Sequence, residues 1–507
     1  MRSSPTFATA IVATSFLAWP AAADISPADV WADWQRLIES TDVTLEVGGE
    51  TASADALILT DVSISGDFPE DGGSFATTVP EVVFEDRGDG TVEIKMSAEY
   101  PIAVIGKDAI TDEDFAFNII TRQPGMVTIA SRDGATTRYD YVGPEVQVSV
   151  AQFTIDGEPL DFDINMTLAG LKGAYSILEG TPRLYDSNFL VETLTMSGRG
   201  TDPEDPTAAF DFSARVADVG SQTSGTIVGM LGFSDLSSMV AEGFTTEWNI
   251  THGAAKYTIA GADQSGRFNL ETNAEAGIFD GSITPDGLTY GGGNTGVSVA
   301  VSGSDIPFPQ LTFSMAESEG RLTMPIVPGE ETSDVGLLMR LVDLEISEAV
   351  WSMFDPAGQL PRDPATVILD LAGQARWLAD VFDPEFAESM SPGDIPGEFE
   401  SLTLNALQLT VGGAELTGEG AFDIDNAPGG PFAPAPTPSG AINLQLTGGN
   451  TLLDTLVNMG MLPQEQAMGA RMMLGLFARP GEGPDTLVST IEVGKDGSVS
   501  ANGQRLR

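Results

Sequence analysis

The sequence contains no cysteine and only one histidine, His252, among its 507 residues. Without cysteine the chain can form no disulfide, no thiolate nucleophile and no iron–sulfur ligand set. A single histidine leaves no histidine cluster for a metal, and we expect no cofactor. Basic residues are also scarce: 23 Lys and Arg stand against 74 Asp and Glu, for a formal net charge of −51. Such an acidic surface repels phosphate backbones, so we expect no nucleic-acid partner.

The N-terminus has the features of an export signal. Arg2 supplies a positive charge, and residues 7–19 form an apolar run that is too short to cross a bilayer. Small residues at 21–23 predict a signal peptide over residues 1–23 that is cleaved after Ala23, the alternative being an uncleaved anchor or a buried apolar helix. No later run reaches about 18 apolar residues, which predicts no transmembrane anchor after cleavage. An exported chain without cysteine fits the periplasm, where we expect this protein.

Apolar and polar residues alternate with a period of two in many segments, as in a half-buried strand. The pattern occurs at 43–47, 57–64, 91–94, 146–150, 161–168, 297–301, 402–404, 442–446 and 488–493. Asp-Gly pairs, which favour tight hairpin turns, begin at positions 71, 89, 133, 156, 280, 286 and 496. The sequence therefore predicts a mainly β (α+β) fold of extended, twisted antiparallel sheets.

A few short helices are predicted between the strands. Ser26 is expected to cap the first helix, with Pro27 at its first position. Further helices are predicted at 234–242 and 347–354, and a C-terminal helical hairpin is predicted over 450–478. At about 150 residues per domain, the length predicts three subdomains after the signal peptide. We place them at 24–200, with the N-terminal helix, at 201–330, and at 331–507, with the hairpin.

Two motifs could suggest catalysis. Gly291 to Gly296 match the dinucleotide-binding pattern G-x-G-x-x-G, but a strand pattern follows where a helix is needed. We interpret the segment as a glycine-rich turn. His252 has no orienting acid that the sequence identifies, and we interpret it as a turn or edge residue. We therefore predict no catalytic residues and no enzymatic activity, with an enzyme that uses carboxylates alone as the remaining alternative.

Three groups of acidic residues could offer oxygen ligands to calcium, at 112–114, 161–165 and 423–425. None has the spacing of an EF-hand loop. In the second group, alternation places Asp161 and Asp163 on the solvent side of a strand, which accounts for them without a metal. We predict no specific metal site.

Methionines are concentrated in the C-terminal hairpin. Flexible thioethers can line a groove for a lipid or an apolar peptide, or they can pack a helix pair against a sheet. Packing is the interpretation we favour, and the ligand surface is kept as the alternative. The candidate apolar-ligand surface consists of Met459, Met468, Met472, Met473, Leu476 and Phe477.

Several segments resemble the bacterial domain-of-unknown-function 2125 (DUF 2125) family. They are Ala28–Trp34, Leu341–Trp351, Phe354–Pro356, Leu360–Thr366, Gly460–Pro463, Lys495–Gly497 and Asn502–Gly503. The resemblance implies an exported protein of Gram-negative bacteria with no assigned activity. The architecture is also similar to that of AsmA-like envelope proteins, which are associated with outer-membrane assembly and lipid handling, although we expect no counterpart of their membrane anchor in this chain.

Export, richness in strands and the lack of catalytic residue sets together predict a non-enzymatic protein. We expect it to bind or shield an apolar component of the cell envelope, such as a lipid or an envelope protein. The alternative is an acidic structural or interaction protein of the envelope without a small-molecule ligand, whose charged coat keeps it hydrated.

Overall fold

The structure is a computed structural model that describes residues 24–39, 43–68, 73–107, 113–202, 205, 207–227, 236–383, 386, 396–432 and 435–507. The predicted signal peptide lies outside these residues. Strands account for 64% of the structure and helices for 11%, which confirms the mainly β fold.

The described helices are α1 (Pro27–Glu39), α2 (Leu236–Ala241), α3 (Glu348–Phe354), α4 (Gly449–Asn458) and α5 (Gln464–Phe477). The predicted helices are confirmed within a few residues, and Ser234, the predicted start of α2, lies outside the described residues. The described strands are β1 (Thr44–Ala52), β2 (Ala56–Phe68), β3 (Gly73–Asp86), β4 (Val92–Met96), β5 (Glu99–Lys107), β6 (Asp114–Arg122), β7 (Val127–Asp133), β8 (Thr136–Ile155), β9 (Glu158–Pro159), β10 (Phe162–Leu178), β11 (Arg183–Thr201), β12 (Ala209–Ile227), β13 (Thr246–His252), β14 (Ala255–Ala262), β15 (Arg267–Ala274), β16 (Ala276–Thr284), β17 (Gly287–Gly303), β18 (Leu311–Met324), β19 (Ser333–Ile346), β20 (Ala365–Trp377), β21 (Gly397–Val411), β22 (Ala414–Asp425), β23 (Thr437–Thr447), β24 (Arg479–Pro480), β25 (Thr486–Val493), β26 (Val499–Ala501) and β27 (Gln504–Arg505).

All of these strands belong to one antiparallel sheet. A six-strand unit occurs in it twice. The long strand β3 pairs with both β4 and β5. Strand β4 pairs with β7, and β5 pairs with β6. Strands β6 and β7 then both pair with the long strand β8. Strands β12 to β17 repeat this connectivity step by step. The sheet runs without a break through the positions at which we divided the chain into subdomains, and that division stays a prediction.

A line of backbone irregularities, which we call the crease, crosses the long strands. Asp61 in β2, Asp218 in β12 and Asp343 in β19 have φ angles of 51°, 51° and 54°, and Gly170 in β10 and Gly296 in β17 have φ angles of 66° and 59°. Each of these residues interrupts the pairing of its strand with a neighbour. A left-handed residue departs from extended backbone, so the strands bend at the crease.

At the crease the apolar residues of a strand change from odd-numbered to even-numbered positions, or the reverse. In β2, Leu57 and Leu59 precede Asp61, and Val62 and Ile64 follow it. Successive side chains of a strand point to opposite faces, so the interruption at the crease keeps both pairs on one face. Leu59 and Val62 do belong to the same buried cluster. The sheet therefore has one apolar face on both sides of the crease, and we call the opposite face the outer face.

In β11, β12 and β15 the apolar face is buried beside the crease and open farther from it. Val191 and Val216, beside the crease, are 0% and 5% exposed, whereas Phe210 and Phe268, farther away, are 41% and 45% exposed. On the outer face the crease residue Asp218 is exposed. The sheet is therefore folded toward its apolar face, which makes an apolar trough whose floor is the crease.

The trough has two walls. The first wall contains β5, β6, β14 and β15 together with the parts of the long strands on their side of the crease. The second wall contains β4, β7, β13 and β16 with the remaining parts, and it continues into β20 to β25 because β20 begins at the crease.

Helices α1 and α2 pack on the second wall. Trp31 of α1 joins a core with Leu59 and Phe84, and the ring of Trp34 meets that of Phe84 edge to face at a centroid distance of 5.2 Å. Helix α2 buries its apolar side against a separate cluster that contains Ile283. In the described ranges, no helix combines the length and the apolar character needed to cross a membrane.

Helix α1 begins with a capping box. Ser26 donates from both its backbone N and its Oγ to Asp29 Oδ2, over 3.0 and 2.6 Å, and accepts at Oγ from the Asp29 backbone N. These hydrogen bonds from Ser26 hold the pKa of Asp29 below its usual value. The predicted cap is confirmed.

Candidate functional site

The first wall presents rows of apolar side chains that lie side by side on neighbouring strands. The row next to the rim alternates phenylalanine with glycine: Phe162, Gly200, Phe210, Gly261, Phe268 and Gly303. The next row toward the crease consists of Ile164, Gly198, Phe212, Ile259, Leu270, Val301 and Leu311. The glycines make room for the rings, since a Cβ on Gly200 would lie 2.4 Å from the Phe210 ring. A flat apolar surface results.

Aromatic rings form a ladder along this wall. The ring centroids of Phe115 and Phe117 are 6.1 Å apart, those of Phe117 and Phe153 5.6 Å, those of Phe153 and Phe162 5.4 Å, and those of Phe162 and Phe210 5.9 Å. The ladder crosses β6, β8, β10 and β12. Such contacts fix the orientation of the rings, so the surface they present is preformed.

The first wall is long compared with a lipid chain. From β6 to β18 the wall comprises nine neighbouring strands, which at ~4.8 Å per spacing extend over roughly 38 Å. The hydrocarbon core of a whole bilayer, two acyl chains deep, is about 30 Å thick. One extended acyl chain therefore fits within this wall.

The second wall carries tyrosines and hydroxyl groups instead. Its apolar face between α1 and α2 includes Tyr175, Ser187, Thr223 and Trp248, which lie side by side on successive strands. Tyr185 and Thr246 hydrogen bond through their hydroxyls over 2.8 Å. This wall can meet polar groups as well as apolar ones.

A pocket of about 310 Å³ lies between α1 and the second wall. Its apolar lining comes from Trp34, Leu37, Tyr139, Tyr141, Tyr175 and Ile177. Burial raises the pKa of the Tyr139 and Tyr175 phenols, and the nearby charge of Asp33 adds to the rise at Tyr139. The phenols therefore remain neutral donors at physiological pH.

Charged groups of both signs also line this pocket. Asp33 of α1 is ion-paired with Arg36 and with Arg132 of β7. On the other side, Arg183 Nε donates to Glu179 Oε2 over 3.1 Å. The pocket thus joins aromatic rings to a guanidinium and two carboxylates.

The hairpin that carries the sequence-predicted surface is held from two sides. Asp485 accepts hydrogen bonds from the backbone N of Asn450 and Thr451 at the start of α4, over 3.2 and 2.8 Å. Burial opposes the charge of Asp485, but these bonds and those from the two side chains hold its pKa below its usual value. Arg471 of α5 donates to Asp454 of α4 over 2.6 Å.

The structure brings the predicted surface residues together on α5, but it does not pack them. Within α5 only Ala467 is buried. The packing interpretation that we favoured is therefore not what α5 shows. Met472 is 69% exposed, and the others that are exposed are Met468, Met473, Leu476 and Phe477, while Met459 is half-buried. Their role as a ligand surface stays a prediction.

The glycine-rich turn that we predicted at 291–296 is wrong, because the segment lies inside β17. Its glycines allow side chains of the neighbouring strands to approach the backbone of β17 closely. Arg321 of β18 reaches across Gly291 to Asp280 of β16, with two hydrogen bonds of 2.8 and 2.9 Å. A Cβ on Gly291 would lie 3.0 Å from the Arg321 Cζ atom.

The hairpin turn predicted at Asp280 is also wrong, because Asp280 and Gly281 lie inside β16. Gly281 makes room there for the Trp248 ring.

The remaining polar candidates have local partners. His252 ends β13, and its Nδ1 lies 2.7 Å from the carbonyl oxygen of Gly253. Asp163 accepts from Arg199 over 2.6 Å, and Asp161 from Thr201 over 3.1 Å. Asp112 lies outside the described residues. Among the residues that are described, no group of three or more Asp, Glu or His side chains could hold a metal ion.

A segment that carried the family resemblance forms a buried ion pair. Asp355 accepts from the backbone N of Gln359 and Leu360, over 2.9 and 2.8 Å, and from Arg362 over 2.6 Å. Burial opposes its charge, but these donors hold its pKa below the usual value. Arg362 also lies over the Trp351 ring, 4.3 Å from its centroid. The segment therefore fixes the connection from β19 through α3 to β20.

Sequence reasoning missed the trough. The sequence did contain a signal for it. Within one strand, the apolar residues change between odd and even positions around a glycine or an aspartate. Leu168 and Leu171 flank Gly170, and Val216 and Val219 flank Asp218. Read together, such positions would have located the crease.

Comparisons with known proteins connect this fold to one family. Residues 295–506 match the model of a family described as an uncharacterized protein conserved in bacteria, DUF2125. The matched part begins within β17 and includes Leu341–Trp351 and the helical hairpin, whereas Ala28–Trp34 lies outside it. No match is found among curated proteins or among solved structures. Residues 295–506 therefore carry the DUF2125 domain, which confirms the family predicted from the sequence.

Proposed function

We propose that the protein binds a lipid, or another molecule with a long hydrocarbon chain, in the trough and holds it without chemical change. The observation that carries the proposal is the first wall, a continuous apolar surface whose outer rows are open to solvent. Phe210, Ile259 and Phe268 are each more than 40% exposed there. Exposed apolar surfaces of this extent mark binding sites in soluble proteins.

The chemistry of the wall favours a hydrocarbon over a peptide. The strands of the first wall between β8 and β18 are paired on both sides, so their backbone groups already have partners. The rim row and the row beside it carry no hydrogen-bonding side chain. A peptide would leave its own amide groups without partners on such a surface, which is costly, whereas an acyl chain has none to satisfy.

The exposed area is large enough to support binding. Covering the open parts of Phe210, Tyr257, Ile259 and Phe268 removes roughly 300 Å² from water, which contributes about 7 kcal/mol at ~25 cal/mol per Å². Association and ordering of the ligand offset part of this gain. Contact with only a part of the first wall is therefore enough to bind the ligand.

The outer face supports a role in an aqueous compartment, and we propose the periplasm because of the export signal. The excess of acidic residues, with a formal net charge of −51, keeps the outer face hydrated and separates copies of the chain from one another. The carboxylates that could serve catalysis, such as Asp163 and Asp280, are engaged by arginines. Binding without catalysis is therefore the function we propose.

A matched pair of isoleucines tests the proposal. Ile259 points into the trough and is 45% exposed, whereas Ile278 points from the outer face and is 42% exposed. The purified full chain and the variants Ile259→Asp and Ile278→Asp would be extracted with organic solvent, and the lipid per protein measured by mass spectrometry. We expect Ile259→Asp to lower the lipid content at least tenfold and Ile278→Asp to leave it unchanged.

Two results would overturn the proposal. One is a wild-type protein without co-purifying lipid that also takes up no fluorescent fatty acid, which would support an acidic interaction protein without a ligand. The other is an equal loss of lipid in both variants. Circular dichroism and urea unfolding of each variant would show whether its sheet is intact.

A further inference from the structure

The pocket beside α1 assigns a head group to the proposed ligand. We infer that it binds the head group of a zwitterionic phospholipid whose acyl chains lie on the first wall. The inference rests on the proposed function and goes beyond it, because it names the class of lipid and the place of its polar end.

One strand connects the pocket with the apolar wall. In β10, Tyr175 lines the pocket, Leu171 lies beside the crease, and Leu168, Ile164 and Phe162 lie on the first wall. From Tyr175 to Leu168, where the first wall begins, the strand covers roughly 23 Å of contour at ~3.3 Å per residue. A lipid with its head group at Tyr175 can therefore place its chains on the first wall by crossing the floor of the trough.

The lining of the pocket suits a positive group. Trp34, Tyr139, Tyr141 and Tyr175 contribute four aromatic rings. The faces of such rings attract an ammonium group, and most strongly where water is excluded.

The same pocket offers donors to a phosphate. The guanidinium of Arg183 lines it, and guanidinium groups bind phosphate oxygens with paired hydrogen bonds. Among the described residues, the Tyr175 hydroxyl has no hydrogen-bond partner, and it adds a neutral donor. At about 310 Å³ the pocket lies in the size range of small-molecule sites.

Net charge separates zwitterionic from anionic lipids. The formal net charge of the chain is −51, and Asp33 and Glu179 lie at the pocket itself. Arginines neutralise both carboxylates, since Asp33 is paired with Arg36 and Arg132 and Glu179 with Arg183. The overall charge of the chain therefore opposes an anionic head group, while only a zwitterion brings an ammonium group that the aromatic rings attract. The geometry therefore favours phosphatidylethanolamine-type or phosphatidylcholine-type head groups over phosphatidylglycerol.

The test is a competition between lipids with the same acyl chains. The full chain would be stripped of lipid and incubated with vesicles of equal parts phosphatidylcholine, phosphatidylethanolamine and phosphatidylglycerol, and the bound species quantified by mass spectrometry. We expect the zwitterionic lipids to exceed phosphatidylglycerol at least tenfold. Tyr141→Leu and Tyr175→Leu should each reduce this preference severalfold, and Tyr175→Phe should retain more of it than Tyr175→Leu because the ring remains.

A control outside the pocket uses another exposed tyrosine of the second wall. Tyr290→Leu should leave the preference unchanged, since Tyr290 is 52% exposed and does not line the pocket. Equal binding of phosphatidylglycerol, or a preference that survives Tyr141→Leu and Tyr175→Leu, would overturn the inference while the trough could still bind lipid. Failure to bind any of the three lipids would also overturn the inference, and uptake of a fluorescent fatty acid would then show whether the proposed function still holds.

Discussion

The two walls of the trough belong to one sheet and follow one alternating pattern, yet they differ in what covers them. The second wall is covered at α1, where Phe84 is 0% exposed, and again at α2. The first wall also has rows of apolar side chains, but none of the described helices covers Phe210, which remains 41% exposed. The difference teaches that a helix turns one part of an apolar face into a folding core and leaves the other available to a ligand.

The largest expected effect contrasts two phenylalanines. Phe84→Ala should lower the free energy of unfolding by about 3–5 kcal/mol, because it leaves a cavity under α1. Phe210→Ala should lower it by no more than about 1 kcal/mol, since the side chain is already partly in water. Urea unfolding of both variants measures this contrast. Equal losses would show that the first wall is also part of the folding core.

A smaller effect is expected where α1 is capped. Ser26→Ala should lower the free energy of unfolding by about 1 kcal/mol and speed up hydrogen exchange in α1, while exchange in β14 and β15 stays the same. Faster exchange in both regions would contradict the view that only the second wall depends on α1.

The cap also has a pH dependence with a defined sign. The pKa of Asp29 is lowered in the folded protein, so its contribution is fully present above its unfolded pKa of about 4 and is lost as the pH falls below it. The effect is small because Asp29 is largely exposed to solvent. Exchange rates in α1 measured between pH 3 and pH 6 would show the loss, and Ser26→Ala should reduce it.

The smallest effect is expected on α5. Met472→Gln should change the free energy of unfolding by less than about 0.5 kcal/mol, because the side chain is largely exposed to solvent. The variant should also retain its lipid if the trough is the binding site. A loss of lipid with intact stability would instead assign the ligand to the surface of Met468, Met472 and Leu476.

The strands could be predicted because their signal is local. Residues 43–47, 146–150 and 442–446 alternate without interruption, and each lies in or next to a strand of the structure. Ser26 and Pro27 likewise marked the start of α1, since capping depends on neighbouring residues. Elements that follow from short stretches of sequence were therefore within reach.

The site could not be predicted in the same way, because it depends on contacts between distant residues. Phe162, Phe210 and Phe268 lie far apart in the chain and meet only through the register of the sheet. The pocket beside α1 likewise joins Trp34 to Tyr139 and Tyr175. The methionines of α5 stood out in the sequence only because they are close together in it.

The repeated six-strand unit gives this architecture a simple way to grow. From β3 to β12, the same point in the next unit, the sheet advances by six strand spacings, or roughly 29 Å at ~4.8 Å each. Because the long strands bend along one line, a further copy of the unit would lengthen the trough while its cross-section stayed the same. Duplication of a segment of the gene would thus be enough to set the length of the trough.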